Sequence, residues 1–384
     1  MIQKLFILLL IAGISVATFA QDEYLNPDTV DIEKIYPGGK PYKVKMYPHK
    51  FKTEKPKNII LFIGDGMGAS QVFAGLTANQ GNLFLENCKY TGFSKTQSFD
   101  NYITDSAAGG TALSCGVKTY NGAIGVDADT IPVKTILEEA EEKGLATGLV
   151  STSAITHATP ASFIAHQPNR GMYQEIAADF LKTDIDVFIG GGIGHFIARK
   201  DGRNLISELR EKGYTVENDL TKIKSIKKGK LAGLTAQVHN PRLADRGDML
   251  PLSTQTAINI LSNNDKGFFL MVEGSQIDWG GHANSTVYIV EDMLDFDQSI
   301  GNAIKFAAKN GETLVIVTSD HETGGMALTA GDMTTGAVRG DYPTGGHTGV
   351  MVPVFSYGPG AEEFIGIMDN TEIHAKMKKL LLEN

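Results

Sequence analysis

Residues 267–282 read Gly-Phe-Phe-Leu-Met-Val-Glu-Gly-Ser-Gln-Ile-Asp-Trp-Gly-Gly-His. The apolar run 268–272 has the length and continuity of a strand buried on both faces, as strands inside parallel sheets are. It stops on Glu273, with Asp278 and His282 following. Positions i and i+4 share one face of a helix, so a helical turn there brings Asp278 and His282 together. Two carboxylates and an imidazole at a strand's carboxyl end suit a bound cation. Taken alone, a solvated loop with three unrelated polar residues accounts for the stretch equally well.

Other expected strands end the same way. Residues 58–64 run into Asp65, 313–319 into Asp320 and His321, and 145–153 towards His157 and Thr159. Open α/β sheets bind ligands outside the carboxyl ends of their strands. Oxygen and nitrogen ligands delivered there by separate strands therefore predict a binding edge. Helical spacing recurs at 132–143, 174–182, 204–212, 284–309 and 371–382, and further strands are expected at 186–189 and 353–357. Residues 220–246 are less regular and read as a small insertion. With no repeat or linker in view, 58–384 is expected to be a single catalytic α/β domain. Its core would be a central, mainly parallel β-sheet flanked by helices on both faces.

Residues 1–20 are a separate object. Lys4, an apolar run over 5–14 and the small-residue zone at 17–20 make a secretory signal peptide, with an uncleaved anchor as the other reading. No later stretch is long and apolar enough to span a bilayer, so the expected location is secreted or periplasmic. Losing Lys4 with the leader takes the formal charge from −9 to −10. That acidity argues against a nucleic-acid backbone as partner. Residues 21–57 form a Pro- and Lys-rich arm, expected to be extended and solvated. Cys88 and Cys115 could pair in an oxidising compartment, and the apolar setting of Cys115 suits a buried thiol equally.

Gly64-Asp-Gly-Met-Gly-Ala69 formally fits a dinucleotide fingerprint, but Asp65 would set a negative charge against the pyrophosphate. A metal ligand between flexible glycines explains the stretch better. Ser106, in Thr104-Asp-Ser-Ala-Ala108, sits where a turn enters a helix, and the positive helix end favours an anion. Such a serine is ordinarily a cap. Beside metal ligands it becomes a candidate nucleophile. No Gly-x-Ser-x-Gly elbow surrounds it, which argues against an ordinary α/β-hydrolase triad. Arg170, in a turn-rich stretch, offers a fork that grips phosphate bidentately. His347 lies in a glycine-rich loop, while His166, His195 and His239 read as structural.

Taken in order, Asp65-Gly-Met-Gly, Thr104-Asp-Ser-Ala-Ala, His157-Ala-Thr-Pro, Glu273-Gly-Ser-Gln-Ile-Asp278 with His282, Ser319-Asp-His-Glu-Thr-Gly and Gly346-His-Thr-Gly resemble the alkaline phosphatases. The resemblance runs from about residue 58 to 359. It implies a three-layer sandwich that hydrolyses phosphate monoesters through a phosphoserine. Ser106 would be the nucleophile and Arg170 the phosphate clamp. Asp278, His282 and His347 would hold one zinc, Asp65, Asp320 and His321 a second, and Asp65, Thr159 and Glu273 a magnesium. Three dications and Arg170 outweigh the four carboxylates, which suits a dianionic phosphoryl group meeting an alkoxide.

Two positions resemble certain bacterial members. Trp279 follows Asp278 where some relatives carry Lys or His, and His157 stands where others carry Asp. The expectation is a lost polar link to bound phosphate and a weakened magnesium site, open to exchange with another divalent metal. The short stretch from 321 to 347 leaves monomer and homodimer both open. The rivals are a phosphodiesterase, which Arg170 opposes, a sulfatase, which would want Cys-x-Pro-x-Arg at the nucleophile, and a non-catalytic phosphate or metal scavenger.

Overall fold

The computed structural model describes residues 34–383. The central sheet is built from β1 (Asn58–Gly64), β2 (Tyr90–Lys95), β3 (Ala146–Ala154), β4 (Val187–Gly191), β5 (Thr215–Glu217), β6 (Leu231–Leu234), β7 (Phe268–Gly274), β8 (Thr313–Thr318), β9 (Val352–Tyr357) and β10 (Gly366–Asp369). Across the sheet the order is β10-β2-β9-β8-β1-β7-β3-β4-β6-β5. Neighbours are parallel throughout except where β9 pairs with β2 and β8, so β9 alone runs against the rest.

β1 shows why the sheet has a layer on each side. Ile59, Leu61 and Ile63 enter one core, and Ile60 and Phe62 the other. A strand apolar at every second position on both faces must be covered twice. One face packs on α1 (Ala69–Ala78), α6 (Met249–Leu261) and α8 (Thr286–Asn310). The other packs on α2 (Ser106–Cys115), α3 (Ile136–Glu142), α4 (Tyr173–Asp179), α5 (Ile193–Ile197) and α9 (Asn370–Leu381). The remaining helix used below, α7 (Gln276–His282), follows β7 at the sheet edge. The α/β class with a mainly parallel sheet is as expected.

The elements depart from expectation where local pattern is weak. α3 starts only at Ile136, because Thr135 and Glu138 close a reciprocal capping box there. Residues 220–246 are no insertion, since Leu231–Leu234 is a strand inside the sheet, too short to declare a period. His347 lies in a two-residue strand, His347–Thr348, paired antiparallel with Glu322–Thr323. Ser285 caps α8 by accepting from the Tyr288 amide, and Gly311 closes the helix in the left-handed region.

Residues 21–33 of the arm lie outside the described residues, and from Lys34 on the arm is packed as well as solvated. Its lysines between 40 and 57 are all exposed. The Tyr42 hydroxyl, however, donates to Asp297 at 2.6 Å, the Tyr47 amide to Asn87 at 2.7 Å, and Tyr357 to the Pro48 carbonyl at 3.0 Å. Ile35–Tyr36 also adds a strand to Ala337–Asp341. Cys88 and Cys115 are separate buried thiols, and burial pushes Cys115 up to about 12. The leader assigned to residues 1–20 lies outside the described residues. No described helix is long and apolar enough to cross a membrane.

Candidate metal centre and active site

β8, β1, β7 and β3 are consecutive in the sheet, and their carboxyl ends carry the residues singled out from sequence. Asp320 and His321 follow β8, Asp65 follows β1, Glu273 ends β7, and His157 and Thr159 follow β3. Asp278 and His282 sit four apart on α7, and their side chains meet at 3.4 Å. Two glycines let these segments converge. Gly66 has φ +72°, and a Cβ there would lie 2.6 Å from Asp278 Cα. A Cβ on Gly109 would lie 2.9 Å from Asp320 Cβ, so α2 can approach only as glycine.

Among the described residues, two groups of side chains have the spacing to hold a metal ion. One is Asp65, Asp320 and His321, and the other Asp278, His321 and His347. His321 Nε2 stands 3.4 Å from both Asp65 and Asp320. His347 Nε2 lies 3.6 Å from Asp278 and 3.2 Å from His282 Nε2. Sequence reasoning put His282, not His321, with Asp278 and His347; in the structure all four meet. A third cluster joins Asp65, Thr159 and Glu273. Thr159 donates to Asp65 at 3.4 Å, and Glu273 accepts from Ser151 at 2.5 Å and Ser153 at 3.3 Å.

The electrostatics ask for cations. Burial, then repulsion from Asp320, Asp278 and Glu273, pushes the Asp65 carboxyl well above its usual range. Burial, then Asp278 and Glu273, moves Asp320 up to about 7. Asp278 is the exception: burial raises it, but the neighbouring histidines, His282 first, hold it far down. Conversely, burial lowers His282 and Asp278 more than restores it, to about 9. Asp65 Oδ1, Glu273 Oε1 and Asp320 Oδ2 are buried and accept no hydrogen bond from the described residues. Acceptor oxygens left this way in one cluster fit hard or borderline cations.

Ser106 opens α2, is 2% exposed, and places Oγ 3.2 Å from His321 Nε2. Asp105 before it does two jobs that the sequence did not disclose. One oxygen accepts from the Ala108 amide at 2.9 Å and caps the helix; the other receives Gly122 N at 3.0 Å and Arg170 Nη1 at 2.9 Å. Arg170 Nη2 donates to His157 Nε2 at 3.2 Å. Burial, then Arg170, keeps His157 well below its usual value and therefore neutral.

His239 and His195, read from sequence as structural, lie beside this centre. His239 is edge-on to Trp279 at 5.0 Å and to His157 at 5.5 Å, and Trp279 reaches His157 at 6.4 Å. The Ala154 amide donates to His239 Nδ1 at 3.0 Å, so the neutral ring carries its proton on Nε2. His195 Nδ1 bonds Thr156 Oγ1 at 2.6 Å. His166 keeps its structural reading, tied to Gly125 and Glu138. Behind α7, Gln276 is held by Asn240 O at 2.8 Å, Tyr288 at 2.9 Å and Arg246 at 3.0 Å.

Comparison with known proteins points to one family. The alkaline phosphatase family model matches residues 56–342. Alkaline phosphatase 3 of Bacillus subtilis is 36% identical across 93% of this chain and 96% of its own. The Escherichia coli alkaline phosphatase is 33% identical across 86% and 87%. The solved alkaline phosphatase of the Antarctic bacterium TAB5 is 46% identical, with TM-score 0.82 over 86% of this chain and 99% of that one. A TAB5 variant with a histidine replaced by aspartate has magnesium bound in its M3 site. On these grounds the chain belongs to the alkaline phosphatase family, enzymes that hydrolyse phosphate monoesters.

Proposed function

We propose that the single domain over 58–384 hydrolyses phosphate monoesters in two displacements at Ser106, with two zinc ions and one magnesium bound at the strand ends. The observation that carries this reading is Ser106 Oγ at a helix start, 3.2 Å from a histidine shared by both candidate ligand groups. Asp278, His282 and His347 would hold one zinc, Asp65, Asp320 and His321 the other, and Asp65, Thr159 and Glu273 the magnesium. The orphaned oxygens of Asp65, Glu273 and Asp320 support that fit. Bound there, the metals supply Lewis acidity that makes a serine hydroxyl and a water nucleophilic near neutral pH.

The chain's own residues do the rest. Ser106 Oγ bonds to phosphorus as the ester P–O bond breaks, and the alcohol departs with a proton. Water then bonds to phosphorus as the Ser106 Oγ–P bond breaks, which restores the hydroxyl and releases phosphate. The positive end of α2, where Ser106 sits, favours the growing negative charge. Arg170, steadied by Asp105 and His157, grips two phosphoryl oxygens, which a diester offers less well. His157 beside Thr159 is proposed to weaken the magnesium site, and Trp279 to leave phosphate without a polar link from that position. Trp279→Lys or His157→Asp leaving phosphate affinity and magnesium dependence untouched would refute those roles. The leader and export to the periplasm or beyond remain part of the proposal.

The test is turnover of a chromogenic monoester and its matched diester, with zinc and magnesium present and then chelated. Monoester preference that dies on chelation and returns with zinc is expected. Diester preference removes Arg170 from the site, and metal binding without turnover makes the chain a scavenger.

A further inference from the structure

The acid-rich ligand cluster occupies the ends of β8, β1 and β7, and the sheet continues through β3, β4 and β6. Along that continuation the same edge changes character. The loops bring His157 after β3, His195 after β4, His239 after β6 and Trp279 on α7, with Tyr173 three residues beyond Arg170. Tyr173 and His195 lie face to face, centroids 4.8 Å apart and 4° from parallel. The loops are joined: the Gly192 amide donates to Ala236 O at 3.0 Å and the Gly194 amide to Gln237 O at 3.0 Å. His195 is also close enough to lower both His157 and His239 electrostatically. No acid occurs in residues 155–174, 192–200 or 235–244, and Ile197 and Val238 at the rim are 43% and 51% exposed.

A π-rich wall without acids next to a phosphate clamp offers little to a small polyol and much to a flat ring. Aromatic side chains stack on planar groups through their faces, and every nucleobase has one. Resting on the monoester reading above, we propose that Tyr173, His195, His239 and Trp279 receive the leaving group. They favour monoesters whose alcohol carries a planar ring, nucleoside monophosphates above all, over small polyol phosphates.

Adenosine 5′-monophosphate and glycerol phosphate are both alkyl esters, so comparing them separates stacking from leaving-group chemistry. In the metal-loaded protein kcat/KM should favour the nucleotide. Tyr173→Ala and His195→Ala should each lower the nucleotide-to-glycerol ratio by about tenfold, mainly through KM, and Tyr173→Phe should keep it. A second readout needs no turnover. Trp279 is the sole tryptophan, so adenosine alone should quench its fluorescence saturably, and about tenfold more weakly in Tyr173→Ala. Equal use of the two esters, parallel losses on both in the variants, or unquenched emission would overturn the proposal. If neither ester turns over, the phosphatase reading fails, while the adenosine titration still decides whether the wall binds a ring.

Discussion

Arg246→Met should unfold the protein at a markedly lower temperature. Arg246 Nη2 lies 2.5 Å from Asp292 and 2.8 Å from Asp295, and all three side chains are 1% exposed. Deleting the cation leaves two carboxylates buried without their partner, a change that costs about 3–5 kcal/mol. Over the 350 described residues, at roughly 2 cal/mol/K per residue, the unfolding entropy is about 0.7 kcal/mol/K, so Tm falls by about 4–7 °C. The loss should grow with pH. Asp295 already stands raised to about 7, by burial against the pull of Arg246. A carboxyl raised in the folded state keeps its full stability below its unfolded pKa and loses it as pH rises through the folded one. Without Arg246 both carboxyls move higher still, so the deficit at pH 8 should exceed that at pH 5. Melting curves at both pH values, for Arg246→Met and for the same variant with Asp292→Asn and Asp295→Asn, provide the assay. The added amides should recover at least half the loss. A single variant melting within 1 °C of the parent (against the roughly 4–7 °C expected), or a deficit largest at low pH, would refute the reasoning.

Further outcomes follow from the same geometry. Asp105→Ala should cost about 1 kcal/mol of capping energy and raise KM for a monoester by loosening Arg170; Asp105→Asn should recover the melting temperature but not the KM, and recovery of both would contradict the anchoring role. His239 is lowered from 6.5 to about 4 by burial, then by His195. Its stabilisation is present above pH 6.5 and lost as pH falls through about 4, worth about 3 kcal/mol; urea midpoints of His239→Asn should lack that slope, and an unchanged slope would count against it. Gly66→Ala forces a side chain into φ +72° against Asp278. It should cost about 1–3 kcal/mol and reduce zinc retained on dialysis, whereas full retention would show that the turn tolerates a Cβ.

What was legible in the sequence was local. β8, β1 and β7 are apolar runs that end on or run almost straight into their polar residues, and β3, with Ser and Thr in its second half, stops three residues before His157, so strand and ligand lie within one short window. The spacing of Asp278 and His282 carried its own geometry, because a helix repeats every 3.6 residues. The direction of β9 was not legible, since an apolar run at 352–357 looks the same pointing either way. β6 hid because four residues, Leu231–Leu234, cannot establish a period. The surroundings of His195 and His239 were hidden for a related reason: their neighbours Tyr173, Thr156 and Trp279 are distant in sequence, and only the joined loops bring them together. Asp105 could have been suspected, since an Asp just before a helix caps it. Its hold on Arg170 depends on contacts 65 residues apart.

The central claim is that Ser106 carries the phosphoryl group. Quenching turnover of a labelled monoester in acid, then mapping the label by peptide mass spectrometry, tests it directly. The account predicts phosphate on Ser106 in the metal-loaded protein and none in Ser106→Ala. Label on another residue, or steady turnover with no label trapped at any pH, would contradict it.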